Sequence, residues 1–464
     1  MTQARSLWEA TLPAGERVTA EPLDGDTSVD VCVVGAGLTG LWSAYHLLRT
    51  DPSLRVLVLE AGHVGFGASG RNGGWCSALF PLSTAALERR HGLPAALAMR
   101  RMLVRGVQDV RRLTQAESIA CDWAGGGTVV LARSPAQLAH AAAEATEAAR
   151  YGVDEVRLLD AADVAEHVRA DGVLGGTWTP DCARVHPARL VHGLARAVQR
   201  RGGRIVAGTR ATRIGVGEVQ TTRGRVRCGV TVRATEAYTP LLGGRRSVVP
   251  VYSLVIATAP LPHQVWDQIG LARGQTFSEH RHLVVYGQRT ADDRMVFGGR
   301  GAPYHWGSAV SPRFDTDPRV HAALADLLLD LFPPLRPRRC GGLLDGALPV
   351  EFAWGGPLGI SRDWHPTVGF DRARGTAWAG GYVGDGVALS QLAGATVADL
   401  LTGAETERTA LPWVGHASPP WEPEPLRWAG VNAGLRLAVA ADARERRTGR
   451  PSRLGAVLSS LTGG

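Results

Sequence analysis

One short segment constrains this chain more than any other. Asp30-Val31-Cys32-Val33-Val34 is a β-branched run of the kind that forms a buried parallel strand, and it leads directly into Gly35-Ala36-Gly37-Leu38-Thr39-Gly40. A stretch of helical character follows from Leu41 to Leu48, and a second strand, Arg55-Val56-Leu57-Val58-Leu59, ends in Glu60. G-x-G-x-x-G between strand and helix, with an acid about 20 residues further on, is the pattern that holds a dinucleotide pyrophosphate. Gly35 permits the tight turn, Gly37 lets the backbone approach phosphate, and Gly40 lets helix and sheet pack closely. The helix N-terminus turns its partial positive charge to the phosphates. Glu60 suits the ribose hydroxyls and disfavours a 2′-phosphate; a merely structural glycine turn would leave it unexplained.

Composition narrows the class. The chain has 464 residues, 45% hydrophobic and 20% charged, which fits two or three domains or one two-lobed enzyme and excludes disordered, collagen-like and coiled-coil chains. All 51 basic side chains are Arg, so mechanisms built on a Schiff-base lysine, a P-loop lysine or a lysine base are excluded. The net charge of +8 is spread along the chain. Its densest stretch, Arg223, Arg225, Arg227 and Arg233, reads as a solvated strand edge, so no nucleic-acid partner is expected. The six cysteines form no C-x-x-C pair, so neither a disulfide framework nor a metal site is expected, and a reducing cytoplasm is. Met1 to Pro13 lacks the apolar core of a signal peptide. Val31 to Leu48 carries no charge, but its glycines argue for strand and turn over a membrane span, and the protein reads as soluble.

The dinucleotide motif does not recur: Gly125-Gly126-Gly127 lacks the helix and acid of a nicotinamide site. Instead, Gly65-Phe66-Gly67-Ala68-Ser69-Gly70-Arg71-Asn72-Gly73-Gly74 follows Glu60, a loop able to wrap a pyrophosphate and reach a flavin ring. Arg71 would neutralise phosphate or sit at the flavin's electron-rich edge. Gly35–Gly40, Glu60-Ala61-Gly62 and Gly67 to Gly74 together resemble the FAD-dependent amine and amino-acid oxidases of the D-amino-acid-oxidase superfamily. The Ala-Ser-Gly-Arg-Asn-Gly-Gly form is most similar to the gamma-glutamylputrescine-oxidase-like branch. Ala377 to Val387 resembles that family's C-terminal flavin segment, where a strand enters a glycine turn and a helix points its N-terminus at the flavin. Gly381, Tyr382, Gly384, Gly386 and Val387 fall there. Gly202 to Arg213 resembles the adenine-side strand, with Ala211 at the backbone-contact position, and Ala234 to Thr239 resembles the crossing strand end.

The resemblance implies an α/β (α+β overall) fold with a Rossmann-like FAD-binding domain assembled from 28–80, 150–245 and 345–405. A substrate domain containing a β-sheet would come from 81–149 and 246–344, with 406–464 a C-terminal linker and helix. Leu87 to Glu117, Ser134 to Arg150, Asp163 to Arg169, Pro187 to Arg200 and Leu426 to Arg444 read as helices. The implied reaction moves a hydride equivalent from the carbon of an amine or amino acid to flavin, giving an imine that water hydrolyses. Such chemistry demands positioning more than acid–base machinery, and no Ser/His/Asp or Cys/His arrangement is visible. Tyr252, Tyr286, Arg300, Tyr304, His305, Trp306 and Trp354 are the cage candidates. Arg300 is the anchor for a carboxylate or phosphonate (or else a solvated surface arginine), His305 the candidate base and Trp354 the candidate wall. His186 reads as structural. Sarcosine-oxidase relatives use a lysine for oxygen reactivity, which this chain lacks, so an arginine supplies that charge or the acceptor is not oxygen. Cys340 does not match the family's flavin-linking cysteine, so non-covalent FAD is expected. An FAD-dependent 2-hydroxy-acid or polyol-phosphate dehydrogenase feeding a quinone, and a flavin-bearing structural subunit, remain open.

Overall fold

The computed structural model describes residues 5–152, 155–244, 246–336 and 348–455. Thr27–Val34 becomes a central strand because its apolar half is buried on both faces. It pairs in parallel with Val56–Leu59 on one side and Arg225–Arg233 on the other. Arg204–Val206 adds beyond Val56–Leu59, and Thr376–Gly380 adds beyond Arg225–Arg233, both parallel. Thr367–Asp371 closes that edge antiparallel, while Ala211–Gly215 and Glu218–Thr221 extend Arg225–Arg233 as a hairpin ladder. Arg225 and Arg227 are exposed, but the strand that carries them is paired on both sides and is not the expected edge, and Arg233 at its end is half-buried between Val34 and Trp378. Helices Leu38–Thr50, Pro187–Arg200 and Gly386–Thr402 share one apolar core with this sheet. Gly394 lets two of them touch: a Cβ there would lie 2.6 Å from that of Trp42.

The second sheet has eight strands in the order Val350–Ile360, Val249–Thr258, Met295–Arg300, Val285–Arg289, Thr276–Glu279, Thr128–Ala132, Gly175–Thr179 and Arg157–Asp160. All its neighbours are antiparallel except the pair Thr276–Glu279 and Thr128–Ala132. One face packs on helices His263–Ile269 and Pro318–Leu331. Arg157–Asp160, Gly175–Thr179 and Val350–Ile360 belong to this sheet although they fall inside segments expected for the cofactor domain. Pairing decides their place: Val249–Thr258 is buried at every position and needs a full-length partner, which Val350–Ile360 supplies.

The helix expected from Leu87 to Glu117 divides into Thr84–His91 and Leu93–Ala116, broken at Gly92 with φ +82°. Pro187–Arg200 has the expected bounds, and His186 caps it by accepting the Arg189 N–H. The C-terminal helix Leu426–Thr448 docks on the second sheet through Asp442, which accepts the His282 and Leu283 N–H groups. Among the described residues no helix is long and apolar enough to cross a membrane.

Candidate active site

The parallel strands all end at one edge of the first sheet, and the crevice outside their C-termini is where such folds bind nucleotides. Gly35 lies in that crevice at φ +113°, and a Cβ on it would meet the Ala234 carbonyl oxygen at 2.5 Å. A Cβ on Gly40 would come within 1.9 Å of the Gly35 oxygen, and one on Gly37 within 2.8 Å of Ser69 Oγ. Ser69 Oγ accepts the first helical N–H, that of Leu38, at 2.8 Å. Glu60 accepts the Ala36 N–H at 2.9 Å and, just past Ala61, the Gly62 N–H at 2.8 Å; burial raises its pKa. Beside it Thr209 donates its backbone N–H to the Glu60 carbonyl, two residues before the buried Ala211. A cavity of about 310 Å³, lined in part by Val18, Pro22, Gly62, His192 and Gly208, flanks this end.

The loop after Glu60 holds itself in shape. Asn72 donates to the Ala68 and Ser69 carbonyls and accepts the Gly74 N–H. Gly73 passes so close to Tyr286 that a Cβ would lie 2.4 Å from its ring. Arg71 is buried, paired with Asp315 at 2.8 Å and 3.3 Å from the Tyr238 hydroxyl, while its Nε has no hydrogen-bond partner. Two indoles fix the loop from behind: Trp354 donates to the Arg71 carbonyl at 2.9 Å and Trp8 to that of Asn72 at 2.7 Å. Trp354, expected as a wall of the substrate cage, is instead fully buried against Leu7, Trp8 and Leu12 and supports the loop backbone.

At the far strand end the chain turns through Gly381 (φ +78°), Val383 (φ +57°) and Gly384 (φ +115°) into the helix Gly386–Thr402, with Val387 buried in its first turn. Tyr382 reaches Thr39 of the first helix at 3.2 Å and donates its N–H to Glu236 at 3.0 Å. The other Glu236 oxygen is buried without a hydrogen-bond partner, and a Cβ on Gly359 would lie 2.0 Å from it. Burial pushes the Glu236 carboxyl up to about 7. Asp385, ahead of the helix, is pushed up to about 6 by burial, opposed by the charge of Arg300.

The second sheet roofs this crevice. Ser253 and Arg300 are cross-strand partners, so they share a face with Gly356, Gly298 and Tyr286. Tyr286 bonds Ser253 Oγ at 2.9 Å, and Gly356 lies directly under the Arg71 guanidinium. Arg300 donates to the Val383 carbonyl and stacks over Trp364 at 5.3 Å; burial lowers its pKa and Asp385 counters that. Tyr252 points to the opposite face, where its ring meets His305, itself stacked on Phe314. The structure therefore separates Tyr252 and His305 from the face that carries Arg300. Tyr304 is engaged by Glu424 of the proline-rich connector, and Trp306 is 58% exposed. Asp315, Ser253 and Trp8 escaped the sequence reading, and Glu236 and Asp385 were passed over inside segments it had singled out; the apolar trio Leu7, Trp8 and Leu12 was the signal that could have found Trp8.

An FAD molecule fits this crevice by two observations. Its glycines stand where any Cβ would close the cradle, and Arg71 Nε and a Glu236 oxygen are buried without partners beside it. Gly35, Ala36, Gly37, Gly40, Glu60, Ser69 to Gly74 and Gly381 to Val387 would hold it. Cys32, Cys76, Cys121, Cys182 and Cys228 are buried free thiols; Cys340 lies outside the described residues.

A family model described as FAD dependent oxidoreductase matches residues 30–400. The chain is 29% identical over 411 residues to gamma-glutamylputrescine oxidoreductase of Escherichia coli, covering 87% of this chain and 90% of that one. It is 27% identical to a probable oxidoreductase OrdL of Haemophilus influenzae, covering 84% and 86%. Among solved structures, glycine oxidase from Bacillus cereus superposes with a TM-score of 0.66 at 18% identity, over 86% of this chain and 99% of that one. L-amino acid deaminase from Proteus myxofaciens gives 0.68 at 15% identity, over 89% and 96%. At those identities the likeness shows a common fold.

Proposed function

Since the chain belongs to the FAD dependent oxidoreductase family and is an FAD-dependent enzyme, we propose that it oxidises the C–N bond of a small amine or amino acid. The substrate carbon gives up a hydride equivalent and its nitrogen a proton; the resulting imine takes up water to yield a carbonyl compound and ammonia or an amine. Bound FAD, held without a covalent link, supplies the two-electron acceptor. The residues of the chain position and exclude. Arg71 and its Asp315 partner tie the cofactor loop to the roof, leaving a buried, charge-balanced wall. Arg300, at a strand end beside the Val383–Asp385 turn, is the anchor for an anionic group on the substrate. Tyr286, held by Ser253, supplies the flat apolar surface on the same face. The chain has no lysine, and Arg300 is the cation we assign to the oxygen-facing role if oxygen is the acceptor. The buried free thiols fit a cytoplasmic enzyme.

The observation that carries the reading is the juxtaposition of a glycine-lined FAD crevice with a roof whose facing surface bears Arg300 and Tyr286. What supports amine over hydroxy-acid chemistry is the likeness to the gamma-glutamylputrescine oxidoreductase of Escherichia coli. An anaerobic screen of amines, amino acids and 2-hydroxy acids against flavin absorbance tests it. Bleaching by an amine is expected; bleaching by hydroxy acids alone would sink the proposal.

A further inference from the structure

Three histidines from distant segments meet behind the flavin turn. His91 ends the helix Thr84–His91, His365 precedes the strand Thr367–Asp371, and His416 lies in the segment that bridges to that strand in parallel, Val414 beside Val368. One ring nitrogen from each lies within 4.8 Å of those of the other two. The rings of His365 and His416 stack at 3.9 Å, and His91 meets His365 edge-on at 5.5 Å.

Their partners leave two ring nitrogens of the cluster unused. His365 Nδ1 bonds the Pro366 carbonyl at 2.7 Å and so carries the proton, which makes Nε2 the bare acceptor. That Nε2 is buried and has no hydrogen-bond partner, and the same holds for His91 Nε2. His416 Nε2 bonds Asp363 at 2.8 Å, an arrangement in which a carboxylate orients a ligating imidazole. Arg90 stands 3.7 Å from the same carboxylate. Packing alone accounts poorly for two orphaned buried nitrogens within one cluster.

We propose that His91, His365 and His416 form a binding site for a divalent transition-metal ion of the imidazole-seeking class, such as zinc. Two nitrogens bound at about 2.0–2.1 Å to a tetrahedral ion lie roughly 3.3 Å apart, so closing the cluster takes shifts on the order of an ångström and a turn of one of the two stacked rings, whose in-plane lone pairs run side by side as they stand. Three protein ligands leave the fourth position to water, with Asp363 orienting His416 from the second rank. The ion would pin the helix Thr84–His91 and the chain after Gly386–Thr402 to the strand that borders the flavin turn.

The test uses tag-free, full-length, FAD-loaded protein, stripped with chelator and titrated with zinc chloride in a calorimeter. The wild type should take up a single ion per chain. His91→Ala and His416→Ala, both at partly exposed positions, should each weaken uptake by about 10–100-fold or more, and Asp363→Asn by about 10–100-fold. The FAD-to-protein ratio of each variant checks that it has folded. Zinc should raise the wild-type Tm and leave both histidine variants unmoved. Absence of saturable uptake by the wild type, or equal uptake by both histidine variants, overturns the site.

Discussion

The floor of the crevice and its roof are built on opposite principles. The floor is shaped by what is missing: Gly35, Gly37 and Gly40 omit side chains so that strand, turn and helix can close on one another, and every Cβ added there strikes a neighbour. The roof is shaped by what is present, with Arg300, Ser253 and Tyr286 on one face and Tyr252 with His305 on the other. A floor of that kind accepts one ligand and tolerates little change. A roof of that kind can change its ligand by altering single side chains on an intact sheet.

The contrast yields graded expectations. Gly40→Ala should have the largest effect, because the Gly35 oxygen at 1.9 Å is backbone and cannot swing away; FAD affinity should fall more than ~100-fold, about 3 kcal/mol or more, as read from the flavin-to-protein absorbance ratio. Next comes the joint between the two regions. Asp315→Ala strands the buried Arg71 cation and should cost about 3–5 kcal/mol in denaturant unfolding.

Glu236 should show itself through pH. Its folded pKa of about 7 lies above the ordinary 4.5, so the folded chain keeps a proton that the unfolded chain has released between those values. Stability from this group is complete below about 4.5, falls as pH rises through about 7, and is then level, a total of about 3 kcal/mol. Glu236→Gln should remove that slope and be more stable than wild type at pH 8. Comparing Tm against pH for the two proteins checks this; parallel curves would show that folding leaves the carboxyl's pKa unraised. Smallest is a pure roof change: Arg300→Gln should lower kcat/KM for anionic substrates about 10–100-fold, roughly 1.5–3 kcal/mol, with FAD content untouched. Loss of FAD in that variant would erase the distinction between floor and roof.

The same contrast explains what the sequence disclosed. The strand Thr27–Val34, the glycine turn, Glu60 and the helix Pro187–Arg200 are local patterns, and each stands where its pattern put it. The sheet to which Val350–Ile360 belongs was not legible, because a strand's partner is chosen by burial across the fold and not by its own residues. Trp354 shows the limit at single-residue scale: a tryptophan beside Gly355 and Gly356 reads equally as cage or core, and only the presence of Trp8 decides. Asp315 lies 244 positions from Arg71, so no spacing rule could join them.

Trp8 also joins segments that lie far apart in the chain. The indole carried by the short helix Leu7–Thr11 meets that of Trp354 edge-on at 6.4 Å, and the two hold the Asn72 and Arg71 carbonyls from behind. The cofactor loop therefore gains its back wall only when the second sheet has docked on the first, so the yellow ligand is captured by the assembled pair of sheets and not by the glycine turn alone.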